Sequence, residues 1–344
     1  MLKKIALEKF GELVAALMGK GKLFAPVKGN GGVNFEEIKN AGDVTLDFYN
    51  TVMSPKSIFF PQTEDMVKYR IGKDSTDSEI VPPAAGPQIL LGVRPCDVRS
   101  FEIMDLLFED SGIIDPYWVE RRKSTTVIGF AFDSVDPVDF YNTFGIHAAD
   151  PRGSDVFMIK TDRGILLKGM TEKGEKLLEE LPVLADASAD DAEAFEAGIA
   201  KGPELKTRFL DLKGVDAKLL EIFDTPYWHK VSAACLSCGT CTFVCPTCHC
   251  FDICDENIFR EGRRCRTWDA CMFTNFTLET SGHNPRTRIF QRLRQKVNHK
   301  FSYYVSKFGA TLCVGCGRCT RSCPVNIDIF SIVEGAKKVQ GSEK

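Results

Sequence analysis

Two matching cysteine runs constrain this chain more than any other feature. Both runs place four cysteines at positions i, i+3, i+6 and i+10 and follow the last one with proline. The members are Cys235, Cys238, Cys241 and Cys245 in the first run, and Cys313, Cys316, Cys319 and Cys323 in the second. Three thiolates at three-residue steps can wrap around one corner of an iron–sulfur cube, while the fourth cysteine begins a segment that leads away.

This spacing is typical of two-cluster ferredoxins, in which the fourth cysteine of each run binds the other cluster. The sequence therefore predicts two [4Fe–4S] clusters, one held by Cys235, Cys238, Cys241 and Cys323, the other by Cys313, Cys316, Cys319 and Cys245. Glycines inside the runs permit a positive φ and leave backbone N–H groups free to point at sulfur. The alternative is a zinc-binding structural scaffold, but structural zinc sites usually present their ligands as two separated pairs.

Length and composition favour an ordinary globular protein of two domains. The chain has 344 residues, is 44% hydrophobic and carries a net charge of −3, so the charge balance gives no indication of nucleic-acid binding. We expect an α+β or α/β domain over residues 1–224, with an acidic segment near 184–198 that forms an exposed helix or an acidic linker. A mostly α-helical ferredoxin domain with two clusters should occupy residues 225–344.

Local patterns predict several elements. Apolar runs indicate strands at 57–60, 88–93, 125–132 and 156–159, and the last forms a hairpin with 164–167. Helical spacing of apolar residues covers 4–18 and 98–108. Asn284 and Pro285 resemble a helix N-cap and first turn, and the apolar stripe that follows ends at Gly309. This helix would return the chain to the second cysteine run.

The cellular location is predicted from cysteine use and from hydropathy. Fourteen cysteines without a signal-peptide pattern indicate thiolate ligands in a reducing compartment rather than disulfides. No apolar run approaches the length of a membrane span, so direct membrane insertion is not expected. We therefore predict a cytoplasmic protein from an anaerobe.

Six cysteines lie outside the two runs, and two interpretations of them stay open. In the first, Cys248, Cys250 and Cys271 hold a third cluster with Cys96 or Cys265 as the fourth ligand. Cys96 follows an apolar strand and precedes a helix, where the helix dipole would favour a thiolate. In the second, single cysteines such as Cys96, Cys254 and Cys265 are small buried hydrophobic residues.

A basic segment separates the two runs. Residues 260–300 contain ten lysines and arginines against three acids: Arg260, Arg263, Arg264, Arg266, Arg286, Arg288, Arg292, Arg294, Lys296 and Lys300. Three interpretations stay open: a solvated helix face, charges that offset the negative clusters, or a docking surface for an acidic partner.

Several motifs carry a resemblance to a known family. They are Met53-Ser-Pro-Lys-Ser-Ile-Phe59, Gly92-Val-Arg-Pro-Cys-Asp97, Cys245-Pro-Thr-Cys-His-Cys-Phe-Asp252, Arg266-Thr-Trp-Asp-Ala-Cys271, Gly282-His-Asn-Pro-Arg286 and His299-Lys-Phe301. Together with the second cysteine run, they resemble the iron–sulfur (beta) subunits of cytoplasmic sulfhydrogenases and the corresponding iron–sulfur subunit of anaerobic sulfite reductase. Related subunits accompany flavin complexes of the heterodisulfide-reductase type. The motifs span nearly the whole chain, and Cys254 and Cys265 lie outside the family pattern.

The resemblance implies a non-catalytic electron conduit within a hetero-oligomer. Its partners would be a subunit that binds FAD or FMN and NAD(P), and a catalytic redox subunit of hydrogenase, sulfite reductase or heterodisulfide-reductase type. An alternative is a membrane-associated helical ferredoxin subunit linked to quinone or heterodisulfide, which the lack of a membrane segment disfavours. The sequence has no glycine-rich dinucleotide fingerprint in the required context, so substrate chemistry is expected on other subunits.

Overall fold

The computed structural model describes residues 1–83 and 86–340 of the chain. Its strands are β1 Leu2–Ile5, β2 Lys22–Gly29, β3 Gly32–Glu37, β4 Thr63–Ile71, β5 Thr76–Ile80, β6 Gln88–Val93, β7 Thr125–Phe130, β8 Val156–Thr161, β9 Gly164–Gly169, β10 Ala185–Asp186, β11 Phe251–Ile258 and β12 Glu261–Trp268. Its α-helices are α1 Phe10–Met18, α2 Pro95–Phe108, α3 Pro116–Ser124, α4 Glu172–Glu179, α5 Ala189–Lys201, α6 Val215–Glu221, α7 Tyr227–Ser232, α8 Thr240–Phe243, α9 Ile289–Asn298, α10 Tyr304–Phe308, α11 Arg318–Arg321 and α12 Ile329–Ala336. The fold is α+β, as the sequence predicts.

The amino-terminal region is built on an eight-stranded mixed sheet with the order β10-β1-β9-β8-β7-β6-β2-β3. The central pairs β2–β6, β6–β7 and β7–β8 are parallel, and the flanking pairs are antiparallel. All six residues of β6 are buried, as expected for a central strand covered on both faces. Ile89 and Leu91 face one hydrophobic core, whereas Leu90 and Val93 belong to another.

Most of the predicted strands of this sheet are confirmed. The strands near 88, 125 and 156 form, and the predicted hairpin joins β8 to β9. The strand predicted at 57–60 is wrong, because Pro55 opens a short 3-10 helix over Pro55–Ile58 instead. The helix predicted over 4–18 begins only at Phe10, since Leu2–Ile5 pair with β9 as strand β1 and Leu7–Lys9 form a 3-10 turn.

A four-stranded antiparallel sheet connects the two halves of the sequence. Its order is β11-β12-β4-β5, so the hairpin β11–β12, which lies between the cysteine runs, pairs with a strand from the amino-terminal region. This hairpin was not predicted from the sequence. The two predicted domains therefore share a sheet.

The rest of the cysteine-rich region is helical. Helices α6, α7, α9 and α12 surround a core that includes Leu219, Trp228, Val297 and Val333. The long helix before the second run begins at Ile289 rather than at Pro285, and it ends at Gly309 with φ +66°, as predicted. A π-helical turn, His299–Tyr303, interrupts it.

Two remaining findings concern the acidic segment and the membrane. The segment near 184–198, predicted as an exposed helix or a linker, forms β10 and most of α5, and Ser188 and Asp191 cap that helix reciprocally. Within the described residues, the structure contains no helix with the length and hydropathy of a membrane span.

A buried ion pair joins the second cysteine run to helix α2. Arg318 lies between two cysteines of that run, and its guanidinium donates to both carboxylate oxygens of Asp97 at 2.6 and 2.7 Å. The side chains are 1% and 0% exposed. Arg318 also donates to the Thr51 carbonyl at 2.8 Å. Because a buried charge without its partner is costly, this contact fixes how the second run sits against α2.

We expect Arg318→Met to lower the thermal midpoint of the anaerobically purified protein by roughly 5–10 °C, since removing one partner of a buried pair costs about 3–5 kcal/mol. The matched control is Arg99→Met, which removes an exposed ion pair with Glu102 on the same helix as Asp97. That control should shift the midpoint by roughly 1 °C or less. Equal shifts in both variants would show that the Arg318 contact does not stabilise the fold.

Candidate iron–sulfur centres

The first predicted ligand set lines one cavity. Cys235, Cys238 and Cys241 meet Cys323 from the second run there, and apolar side chains complete the wall: Met272, Leu293, Ile327, Ile329 and Ile332. Two backbone N–H groups already point at sulfur, from Ser237 to Cys235 at 3.4 Å and from Ile327 to Cys323 at 3.2 Å. Four thiols, apolar walls and N–H donors are the surroundings that a [4Fe–4S] cluster requires.

The second predicted ligand set lies deeper. Cys313, Cys316 and Cys319 lie near Cys245 from the first run. Burial raises the pKa of the Cys313 thiol to about 12, so this thiol stays protonated unless a metal replaces the proton. Cys319 also contributes to the wall of the first cavity, so the two ligand sets are adjacent.

Gly315 allows the second run to approach the amino-terminal region closely. Its φ is +66°, and the Phe140 N–H donates to its carbonyl at 2.9 Å. A Cβ at this position would lie 2.5 Å from the Phe140 backbone carbon. Only glycine fits both the left-handed conformation and the space.

Two buried lysines of the long helix reach the cysteines. Lys296 donates to the Cys241 carbonyl and to the Thr242 hydroxyl, both at 3.1 Å, and its Nζ lies 3.7 Å from the Cys248 sulfur. Lys300 lies 3.3 Å from the Cys245 sulfur. The lysines are 4% and 3% exposed and are four residues apart, so they project from one helix face.

The charge state of these lysines follows from their neighbours. Burial alone would lower the pKa of Lys300, but the thiolates of Cys245 and Cys248 raise it above its ordinary value. Lys296 is affected in the same way by Cys241 and Cys248. Both ammonium groups are therefore positioned to offset negative charge on sulfur, which is one of the three interpretations of the basic segment. Other basic residues of the segment 260–300 pair with acidic residues instead, such as Arg264 with Asp255 at 2.7 Å.

A third buried lysine comes from the amino-terminal region. Lys56 donates to the carbonyls of Thr242 and Cys248, at 3.3 and 2.8 Å, and its Nζ lies 4.2 Å from the centroid of the Trp268 ring. Burial lowers its pKa to about 8. Lys56 belongs to the motif Met53–Phe59, but no role for this lysine was predicted from the sequence. Its place in that motif was the one feature of the sequence that could have indicated a role.

The cysteines of the predicted third cluster are only partly brought together. The thiols of Cys250 and Cys271 lie within hydrogen-bonding distance of each other, and Cys248 lies beside Cys245. Cys96, predicted as a fourth ligand, lies instead beside Cys316, because α2 packs against the second run. Cys265, the other predicted fourth ligand, faces Cys254 in the hairpin β11–β12.

His249, between two of these cysteines, is partly buried and neutral. Burial lowers its pKa to about 3, with a further contribution from His299. Its Nδ1 lies 3.2 Å from the Thr247 carbonyl, which can only accept, so Nδ1 carries the proton.

Comparisons with known proteins agree with this geometry. Residues 234–327 match the family model of the 4Fe-4S dicluster domain. The chain is 30% identical over 338 residues to sulfhydrogenase 2 subunit beta of Pyrococcus furiosus, and the match covers 97% of this chain and 98% of that protein. No solved structure gave a significant match.

The fold and the cysteine sites define an iron–sulfur protein, and the match to a 4Fe-4S dicluster domain lies in residues 234–327. More particularly, the chain belongs to the family of sulfhydrogenase beta subunits, as the motifs indicated.

We expect Lys300→Met to lower the midpoint potential of the cluster predicted at Cys245, because a buried positive charge stabilises the more negative reduced form. The shift should reach tens of millivolts in an anaerobic redox titration followed by electron paramagnetic resonance. Lys307→Met, which removes an exposed lysine of α10, is the matched control and should leave the potential unchanged. An unchanged potential in both variants would contradict the electrostatic role of Lys300.

Proposed function

We propose that this chain is the electron-transfer subunit of a hetero-oligomeric oxidoreductase of hydrogenase type. It would carry two [4Fe–4S] clusters, one on Cys235, Cys238, Cys241 and Cys323, the other on Cys313, Cys316, Cys319 and Cys245. The observation that carries the proposal is the adjacency of the two ligand sets, since Cys319 of the second set also lines the cavity of the first. Adjacent clusters form a path for single electrons.

The two ends of this path differ in exposure. Cys238 is exposed, and the neighbouring Leu236 is 64% exposed, so the first cluster would approach the surface at this loop. Cys245 and Cys316 are buried, and Gly315 packs against the backbone of Phe140. We therefore assign one docking face, for a redox partner, to the loop that contains Leu236 and Cys238.

The partners are inferred from the family. Pyrococcus sulfhydrogenase 2 subunit beta is, by its name, one subunit of a larger hydrogenase, which supports a hetero-oligomer here. We propose a partner that binds FAD or FMN and NAD(P) on one side and a catalytic hydrogenase-type subunit on the other. Partners of the sulfite reductase or heterodisulfide-reductase type follow from the same resemblance, and the match to a sulfhydrogenase favours the hydrogenase type.

Cys248, Cys250 and Cys271 support a third cluster as a second candidate. Cys250 and Cys271 are in contact, and Lys296 lies near Cys248 and Cys271. With Cys96 and Cys265 placed elsewhere, the fourth ligand would be a group other than these two thiols. The iron content distinguishes a chain with two clusters from a chain with three, because two cubes hold about eight irons and three hold about twelve.

The native complex should be purified anaerobically from its source, with partners identified by mass spectrometry and iron counted per copy of this chain. We expect a partner that binds flavin and NAD(P), and about eight irons in this chain, with magnetic coupling between two reduced clusters. Recovery of the chain alone, with zinc in place of iron, would contradict the proposal.

Two variants test the candidates for a third cluster. If about twelve irons are found, Cys250→Ser should remove about four of them, whereas Cys254→Ser should leave the content unchanged. If about eight are found, neither variant should lose iron, and Cys248, Cys250 and Cys271 are then thiols that pack beside the clusters.

A further inference from the structure

Two cysteines face each other across the hairpin β11–β12. Cys254 and Cys265 are direct partners in the strand register, and their sulfur atoms lie 3.3 Å apart. Both lie outside the eight predicted ligands and outside the motifs shared with the family. Directly opposed residues of an antiparallel pair have neighbouring Cβ atoms, so a bond between the sulfurs requires little backbone movement.

The two thiols differ in access. Cys265 is fully buried, whereas Cys254 is partly exposed. Burial and the adjacent Cys254 raise the pKa of the Cys265 thiol. A reagent in solution therefore meets Cys254 first, and Cys265 is held in contact behind it. This is the arrangement of an attacking thiol with a resolving thiol.

The Glu256 carboxylate lies near the two cysteines but is already paired with Arg263. The Glu256 carboxylate lies within 4.8 Å of both sulfurs, which gives a set of three potential metal ligands. However, Arg263 holds that carboxylate through two contacts of 2.6 and 3.0 Å, and Arg263 also contacts Asp65 at 2.9 Å. Because the carboxylate is already neutralised, the arrangement favours chemistry between the two sulfurs over metal binding.

We propose that Cys254 and Cys265 form a redox-active dithiol that closes reversibly to a cross-strand disulfide in the presence of a small-molecule disulfide. The Cys254 thiolate attacks one sulfur of that molecule, which breaks its S–S bond and releases one thiol. The Cys265 thiolate then attacks the Cys254 sulfur of the mixed disulfide and releases the second thiol. Two protein thiols are oxidised, one small disulfide is reduced to two thiols, and the two protein protons pass to those thiols.

A disulfide between Cys254 and Cys265 would restrain the two strands of the hairpin. Strand β11 begins directly after Cys250, and β12 ends three residues before Cys271. Closing the bond would restrain the separation of the two strands. Amide hydrogen exchange across β11 and β12 should therefore slow in the oxidised form.

The test equilibrates the full-length, cluster-loaded protein anaerobically with glutathione buffers over roughly −300 to −180 mV. The protein is then unfolded in acid, its free thiols are alkylated, and its intact mass and peptides are measured. We expect the oxidised wild type to carry two fewer alkyl groups than the reduced form and to yield a Cys254–Cys265 peptide. Reduction should reverse both changes.

Single variants make the test specific. Cys265→Ser should accumulate glutathione on Cys254, because the resolving thiol is absent, whereas Cys254→Ser should show neither the adduct nor the bond. Thiols that stay free throughout, or a bond that never reopens, would overturn the proposal. So would one zinc ion per chain that is lost in Glu256→Gln.

Discussion

The fold of the cysteine-rich region depends on a crossed arrangement of the two cysteine runs, in which the last cysteine of each run lies with the other run. The structure places Cys323 with the first three cysteines of the first run, and Cys245 near those of the second. Residues 235–245 and 313–323 must therefore lie side by side. The segment between the two runs must therefore bring the chain back to the first run, and the long helix that ends at Gly309 does so.

The clusters also depend on the amino-terminal region. The Arg318–Asp97 pair, the close approach of Gly315 to Phe140 and the Lys56 contacts all link that region to the cysteine loops. The contacts are buried, and separating the two regions would leave the charges of Arg318 and Lys56 without their partners and would break the hydrogen bond from the Phe140 N–H to the Gly315 carbonyl. Residues of the amino-terminal region therefore pack against the second cysteine run, whereas the cavity of the first ligand set is lined by residues between 235 and 332. Helix α2, through Asp97, and the segment around Phe140 hold the second run in place.

The sequence predicted those features that depend on local chemistry. Cysteine spacing pointed to the iron–sulfur class, and the positive φ of Gly239, Gly315 and Gly317 follows from the tight loops. Strands such as β6 were evident because they are continuously apolar. The start of the long helix was predicted too early, because the helix begins at Ile289, where the Gln291 side chain accepts from the Arg288 N–H at 2.9 Å.

Features that depend on distant partners could not be predicted in this way. Hairpin β11–β12 is rich in charge and largely exposed, and it pairs with residues 63–71, far away in the sequence. In retrospect, opposite charges face each other in it, as in Asp255 with Arg264 and Glu256 with Arg263. Lys296 and Lys300 belong to a basic segment whose role the sequence left open, and only the fold reveals that they are buried beside sulfur.

The central claim is that two neighbouring iron–sulfur cubes are held by crossed ligand sets. The most direct measurement is an anaerobic crystal structure of the native complex, with anomalous diffraction data collected at the iron absorption edge. The account predicts two cube-shaped iron peaks, one bound by Cys235, Cys238, Cys241 and Cys323 and the other by Cys313, Cys316, Cys319 and Cys245. A cube bound by all four cysteines of a single run, or single zinc atoms in these positions, would contradict it.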